Sequence, residues 1–415
     1  MTPALVTPAE VLAARTRIGS DLRRTPAWRA SSLSDLAGRP VVLKAENLQR
    51  TGSFKPRGAL NYLRARPDDR GLVVAASAGN HGQGVALAAA MAGRAAVVFM
   101  PLTASLPKVR ATSEYGAEVH QVGDTVDDAI AAAVAYADEA GACFVSPFDD
   151  PLIIAGQGTI GLELAEQVPE AATVLVPVGG GGLISGVAVA LAALEPAWRV
   201  VGVEAAGAAS MVASLANHRP TTVDEPATMA DGIALKSPSA LTLAHVEALV
   251  DDVVTVSEEE IAGAVLLLME RARCVIEPAG AVGLAALVGG RIAGTGPVVC
   301  LLSGGNVDPM LLSTLIEHGL TVAGRYLRLR AVVPDRPGAL AQLTQALADL
   351  GLNVTDVEHH RAGATVNVTE VEVLVTVETR DRAHAGQVLD RLRAAGIRAE
   401  TLEAGSSSGG TSGVR

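Results

Sequence analysis

Lys55 sits in the stretch Glu46-Asn-Leu-Gln-Arg-Thr-Gly-Ser-Phe-Lys-Pro-Arg-Gly-Ala59, and it is one of only four lysines, with Lys44, Lys108 and Lys236, among many arginines. A guanidinium is essentially never deprotonated, whereas a lysine amine can be neutralised and can attack a carbonyl carbon to form a Schiff base. A lysine kept where arginine is the habitual cation therefore points to carbonyl chemistry. Its setting supports that use. Val41-Val-Leu43 reads as a short apolar strand, Thr51-Gly-Ser53 as a turn, and Pro56 as the first-turn proline of a helix running through Leu63. Lys55 then lies at a helix N-terminus, where the positive end of the dipole disfavours its protonated form.

Three further loops carry electrostatic potential for the same site. Gly179, Gly180, Gly181 and Gly182 follow the apolar run Val174–Val178 and precede Leu183-Ile-Ser-Gly186. Consecutive glycines at the start of a helix let backbone N–H groups close on an anion, which makes a phosphate seat. The spacing matches neither the dinucleotide fingerprint nor the nucleoside-triphosphate loop. Ser77-Ala-Gly-Asn-His-Gly-Gln-Gly84 follows Leu72–Ala76 and opens another helix. Its hydroxyl and free N–H groups suit a carboxylate and the Asn80 amide suits a phenolic oxygen, although an ordinary polar strand–helix loop would read the same. His81 reads as structural, with no carboxylate partner nearby. Ser303-Gly-Gly-Asn306 follows Val298–Leu302, which puts a hydroxyl where open α/β sheets bind ligands. Glu277, in Ile276-Glu-Pro-Ala-Gly280, is either an active-site acid or a helix-capping carboxylate.

These loops need a framework, and the pattern supplies one. From Pro40 to about Gly305, short apolar runs alternate with alanine-rich helical stretches. The strands expected are 41–43, 72–76, 95–100, 118–122, 143–146, 174–178, 200–204 and 298–302. The helices expected include 84–92, 126–140, 161–167, 183–193, 258–273 and 281–289. Such alternation means a mainly parallel sheet covered on both faces, an α/β fold. After about Thr321 the pattern changes. Strand 327–334, helix 339–350, a strand to His359, strand 366–378, helix 382–395 and strand 397–402 make a βαββαβ module of α+β class. The expected organisation is a catalytic domain over residues 1–320 with a smaller subdomain at about 45–150 inserted in the larger one. A second module follows over 326–403, then a disordered glycine- and serine-rich tail over 404–415.

Composition excludes several classes. The 415 residues carry a net charge of −11, which opposes nucleic acid or anionic membrane as partners, and aromatics are only 2 %, too few for base stacking. Hydrophobic content is 49 % and mean hydropathy +0.34, yet no run reaches the ~18 uninterrupted apolar residues of a membrane span. The start lacks a basic segment followed by an apolar core, so a cytoplasmic protein is expected. Cys143, Cys274 and Cys300 are odd in number and far apart, which suits free thiols rather than disulfides or a zinc site.

Taken together, Ser53-Phe-Lys-Pro-Arg-Gly58, Ser77–Gly84, Gly156-Gln-Gly-Thr159, Gly179–Gly182 and Ser303–Asn306 resemble the serine/threonine dehydratases. These are pyridoxal-phosphate enzymes of fold type II, with two open, twisted, mainly parallel sheets. The match runs in order from about residue 20 to 320. Val333-Pro-Asp-Arg-Pro-Gly-Ala-Leu340 resembles an ACT domain, a ferredoxin-like amino-acid sensor. A dehydratase body with one such module is the arrangement of medium-length threonine ammonia-lyases, often homo-oligomers (dimers or tetramers). The resemblance implies that Lys55 holds pyridoxal 5'-phosphate covalently and then acts as base at the substrate Cα. Gly179 to Gly182 and Leu183 would cradle the phosphate, Asn80 would meet the ring's O3′, and Phe54 would flank the ring. Glu277 would lie beside the cofactor and Ser303 would face the pyridine nitrogen. A neutral hydroxyl there favours loss of a β-leaving group over transamination. Ser77, with Ala78, Gly79, Asn80 and His81, would bind the substrate carboxylate.

On the same resemblance the reaction is dehydration of L-threonine to 2-oxobutanoate and ammonia, with L-serine as a second substrate. Phe148, in Ser146-Pro-Phe-Asp-Asp-Pro151, stands where serine racemases carry asparagine, which favours dehydration over racemisation. Serine dehydratase, 3-hydroxyaspartate dehydratase and cysteine synthase-like replacement are the neighbouring alternatives, and a non-catalytic amino-acid sensor is the alternative of another class. Relatives that bind a divalent ion use Glu, a carbonyl and Asp. Here Glu204, Ala208 and Ser210 stand at that spacing and the acidic third ligand is missing, so no divalent metal is expected, while Glu204 could still help bind a monovalent ion. In the sensor module, Asp335, Arg336, Gly338 and Leu340 in the first turn, and Asn353 near the start of the second strand, are the candidate effector residues, and the resemblance implies that an amino acid lodges there between paired modules. Isoleucine, opposed by valine, is the expected effector, because 2-oxobutanoate feeds isoleucine synthesis.

Overall fold

The computed structural model describes residues 3–69, 71–168, 170, 173–322, 324–360, 367 and 369–402. The expected tail at 404–415 lies outside them. The chain divides into two units, Met1–Asp308 and Pro309–Arg415.

Among its described residues the first unit holds ten strands: β1 Ala27–Arg29, β2 Val41–Ala45, β3 Val73–Ala76, β4 Ala96–Met100, β5 Glu118–Gln121, β6 Cys143–Phe144, β7 Thr173–Pro177, β8 Arg199–Ala205, β9 Asp252–Val256 and β10 Val298–Leu302. They form two sheets. One has the order β1-β2-β10-β7-β8-β9, parallel except for β1; the other has the order β5-β4-β3-β6 and is wholly parallel. β2, β3, β4, β7 and β10 are buried along their whole length, which is why they read as unbroken apolar runs rather than as alternating ones.

All eight expected strands are present, within a residue or two at their ends. β1 and β9 were not anticipated. β1 is three residues long, and β9 is half-exposed and runs into the capped helix start at Ser257, whose signal dominates that segment. The helix expected over 258–273 stays α-helical only to Leu267, then widens to π geometry over Leu268–Ala272 and ends at the left-handed Arg273.

The helix expected over 161–167 begins ten residues earlier, at Pro151, capped by the Asp150 carboxylate on the Leu152 and Ile153 amides. Its glycines concealed it, since glycine lowers intrinsic helix propensity. Packing explains them. A Cβ on Gly156 would lie 2.6 Å from Arg57 O, and one on Gly186 of the neighbouring helix Gly182–Leu194 would collide with Ile154 O. Backbones cross here at a distance no side chain permits.

Beneath that crossing lies a buried ionic cluster. Arg57 donates to both Glu46 oxygens at 2.8 Å, and to Glu163 at 2.6 and 3.1 Å. Lys44 Nζ donates to Glu163, the Thr25 carbonyl and Gln167 at 2.5, 2.7 and 2.9 Å. Two cations and two carboxylates thus tie the helix Lys55–Arg64 to β2 and to the helix Pro151–Gln167.

In the second unit, β11 Tyr326–Pro334, β12 Val354–His360, β13 Glu370–Glu378 and β14 Arg398–Thr401 make an antiparallel sheet of order β12-β13-β11-β14. Alternate residues Leu327, Leu329, Ala331 and Val333, with Val371, Val373, Val375 and Val377, pack on the helices Ala339–Asp349 and Arg382–Ala394. This is the expected ferredoxin-like module. The strand expected from Val366 is described only from Glu370. No described helix is long and apolar enough to cross a membrane.

Candidate active site

The helix Lys55–Arg64 starts directly from the bridge that Ser53 makes with Gly304, just past the end of β10, and Phe54 N donates to Ser303 O at 3.1 Å. This clamp brings the 53–55 turn and the 303–306 loop together. The Ser77 loop leaves the C-terminal end of β3 and the glycine loop leaves the C-terminal end of β7. All four loops meet at one cavity of about 560 Å³, at the carboxyl ends of parallel strands where such sheets bind ligands. Phe54, Lys55, Ser77 to His81, Phe148, Gly179 to Leu183, Glu277 and Ser303 all line it.

Lys55 Nζ donates to the Pro147 carbonyl at 3.1 Å and lies 5.1 Å from the Phe54 ring centroid. Lys44, Lys108 and Lys236 each pair with a carboxylate; among the described residues Lys55 does not. Burial brings its pKa down to about 8, with the Glu277 carboxylate opposing. About a tenth of the amine is therefore free at pH 7, and the free amine is the form that can attack a carbonyl.

Glu277 stands at the N-cap position of the helix Pro278–Val288, yet its side chain caps nothing. Its two oxygens accept from Asn80 Nδ2 at 2.8 and 3.0 Å. Burial raises its pKa to about 7, so it belongs to the cavity's proton inventory rather than to helix capping. His81 Nε2 lies 2.8 Å from Val145 O, and burial, with the Lys55 charge, lowers its pKa to about 3. It is a neutral, pinned ring, in keeping with a structural role for its side chain.

The glycine loop leaves a helix start open at the cavity. Gly181 adopts φ +88°, and the helix begins at Gly182 with no side-chain cap, so its first N–H groups have no intrahelical partner. A Cβ on Gly180 would fall on the Phe148 ring. Phe148 thus packs onto the glycine loop, where it walls the cavity. Ser77 Oγ accepts from Gly79 N at 3.1 Å.

Several lining residues were not picked out from the sequence. Asn306 closes the Ser303-Gly-Gly-Asn306 motif, which carries no local sign of what its amide does. Lys108, Asp127, Asp231 and Lys236 line the mouth as two ion pairs, Lys108–Asp231 and Lys236–Asp127, at 2.7 and 2.5 Å. Nothing local in the sequence signals pairs more than 100 residues apart. Glu204 is buried and accepts from Met211 N and Val212 N at 2.8 and 2.9 Å; burial raises its pKa to about 7. Among the described residues no group of three or more potential ligands gathers for a metal.

In the second unit the expected effector residues do not converge. Asp335 to Gly338 follow Pro334, which pairs with Glu370, whereas Asn353 bonds Glu378, which pairs with Tyr326 at the other end of β11. At ~3.3 Å per residue these sites lie on the order of 25 Å apart within one module. One module alone cannot hold a small amino acid between them.

The profile described as pyridoxal-phosphate dependent enzyme matches residues 18–304, and that of the ACT domain matches 327–396. The chain is 45 % identical to the L-threonine ammonia-lyase of Geobacter sulfurreducens, covering 93 % of this chain and 97 % of that protein. It is 44 % identical to the L-threonine ammonia-lyase of Thermotoga maritima, covering 92 % and 96 %. Among solved structures, a threonine deaminase from T.th. is 42 % identical with a TM-score of 0.70 over 73 % of this chain and 99 % of that one. Maize serine racemase is 34 % identical with a TM-score of 0.71 over 77 % and 99 %.

Proposed function

The chain belongs to the pyridoxal-phosphate-dependent enzymes, and from that premise we propose that it converts L-threonine to 2-oxobutanoate and ammonia, and acts also on L-serine. The observation that carries this reading is the convergence on one cavity of a lysine that pairs with no carboxylate among the described residues, its pKa near 8, and a glycine loop whose helix start has no side-chain cap. That pair fits pyridoxal 5'-phosphate: Gly179 to Gly182 and Leu183 would hold the phosphate, Lys55 the aldehyde carbon, and Phe54, Asn80, Glu277 and Ser303 the ring. When bound, the cofactor supplies an electron sink that stabilises negative charge at the substrate Cα.

The chain's own residues do the rest. Ser77 and the amides at the start of the helix Asn80–Met91 bind the carboxylate. Lys55 Nζ removes the Cα proton. Phe148 and the 231–236 segment wall the cavity and limit water. One water leaves across Cα–Cβ and one returns when the released enamine hydrolyses, so the net products are the 2-oxo acid and ammonia. The reading is tested by following 2-oxo acid and ammonia from L-threonine, L-serine, D-serine and 3-hydroxyaspartate. Turnover of L-threonine at the highest kcat/KM is expected; racemisation without ammonia, or no turnover, would overturn it.

The lowered pKa of Lys55 has a consequence for loading. Condensation needs the neutral amine, so the rate at which apoprotein takes up the cofactor should rise about tenfold per pH unit below pH ~7 and level off above pH ~9. Stopped-flow absorbance at constant ionic strength measures it, and a flat profile would contradict the assignment.

The second unit is read as an isoleucine sensor that acts on a homo-oligomer in the cytoplasm. The free thiols of Cys143, Cys274 and Cys300 support the compartment. Support for pairing is the separation of Asn353 from Asp335–Leu340 within one module, which suits a site drawn from two modules. Isoleucine should then shift the threonine saturation curve and raise the melting temperature, valine should counter it, and Asn353→Ala should remove both effects. Unchanged kinetics and melting at saturating isoleucine would end this reading.

A further inference from the structure

Asn306 Nδ2 lies 2.7 Å from Thr51 O and 2.7 Å from Asn80 Oδ1. A backbone carbonyl only accepts, so the NH₂ end of Asn306 must face it, and the same NH₂ then meets Asn80 as a donor. Asn80 must therefore present its oxygen to Asn306 and its own NH₂ to Glu277, at 2.8 and 3.0 Å. The orientation of an amide next to Glu277 is thus dictated by a main-chain carbonyl two residues before Ser53.

We propose that Asn306 is a positioning residue that locks the Asn80 amide NH₂-first against Glu277 and thereby holds Glu277 as an ionised acceptor in the cavity. A protonated Glu277 would turn an O–H toward an NH₂ group that cannot accept it. Without the lock, Asn80 can flip, offer its carbonyl to that O–H, and make the acid form comfortable. The lock opposes the burial that pushes the Glu277 pKa up to about 7. The other charged groups facing Glu277 are Lys55, Lys108 and Asp231, from three separate segments. None of them bonds Asn306. The packing leaves little alternative geometry, since a Cβ on Gly52 would collide with Asn306 Oδ1. The inference concerns the apoprotein and does not depend on which amino acid is the substrate.

The test is an infrared pH titration of the protonated carboxyl band in apoprotein, with the band assigned to Glu277 by its loss in Glu277→Gln. Asn306→Ala should raise the midpoint by about one pH unit, the scale of one hydrogen bond. In an Asn80→Ala background the same substitution should add nothing, because the effect is relayed through Asn80. In the loaded enzyme the acid limb of kcat/KM should move by the same amount while Asn306→Ala keeps its visible absorbance. If Asn306→Ala does not fold, Asn306→Asp preserves the shape and exchanges donor for acceptor; its shift should be larger with Asn80 present than in the Asn80→Ala background. An unmoved midpoint, or an equal shift in both backgrounds, overturns the proposal.

Discussion

Lys55→Ala is expected to lose the visible cofactor band and more than about 10⁴-fold of the activity, since both the covalent tether and the base at Cα vanish. Lys55→Arg should fare no better, because a guanidinium neither deprotonates nor condenses with a carbonyl. The fold should survive. Lys55 makes a single side-chain hydrogen bond, to Pro147 O, and no ion pair among the described residues. Its amine is desolvated, with the folded pKa near 8 lying below the ordinary 10.5. A lysine with a depressed folded value destabilises the fold fully below pH 8, and the penalty fades as pH rises towards 10.5. The apo form of Lys55→Ala should accordingly melt no lower than wild-type apoprotein at pH 7, and the difference should narrow at pH ~10. A yellow, active variant would refute the assignment of Lys55; an inactive variant that melts far below wild type would leave only Lys55→Arg informative.

Arg57→Met should have the largest effect on stability. Burial disfavours the guanidinium, but the Glu46 and Glu163 carboxylates more than compensate and raise its pKa above the ordinary value. Removing it leaves two carboxylates with Lys44 as the remaining cation of the described cluster, and its pKa is itself pulled down by burial. Breaking a buried ion pair from one side costs about 3–5 kcal/mol, which for a unit of this size lowers the melting temperature by roughly 5–8 °C. Arg57→Lys should recover only part, because an ammonium cannot serve Glu46 and Glu163 with a planar fork. The consequence should reach the chemistry, since Arg57 anchors the helix whose first residue is Lys55. Calorimetry of the apoprotein checks the first effect, and cofactor dissociation at about 25 °C checks the second. A melting temperature within a degree or two of wild type would show that the cluster does not hold this helix in place.

Much of this protein can be read along the chain. Of the ten strands described in the first unit eight were legible, five of them because strands buried on both faces announce themselves as apolar runs, and the alternating sheet of the second unit was legible too. Lys55, Gly179–Gly182 and Ser303 were legible for a related reason. Gly179–Gly182 and Ser303 stand just past the carboxyl ends of strands, where a parallel sheet gathers ligands, and Lys55 is a rare lysine that opens a helix. Helix Pro151–Gln167 was misjudged because local propensity counts Gly156 against a helix, whereas the fold needs that glycine for the close passage of Arg57 O. Glu277 could not be divided between capping and catalysis, because both readings start from the same position before Pro278.

What the amino-acid order settles by itself is local: period, turn chemistry, and the reactivity that a lysine has and an arginine lacks. What the tertiary structure decides is the relation between distant groups. Asn306 meets Asn80 across 226 residues and Asn80 meets Glu277 across 197, while Asn353 and Asp335, only 18 apart, end at opposite ends of one sheet. Hydrogen bonds depend on ångströms and angles, and no spacing along a chain specifies those until the sheets have packed.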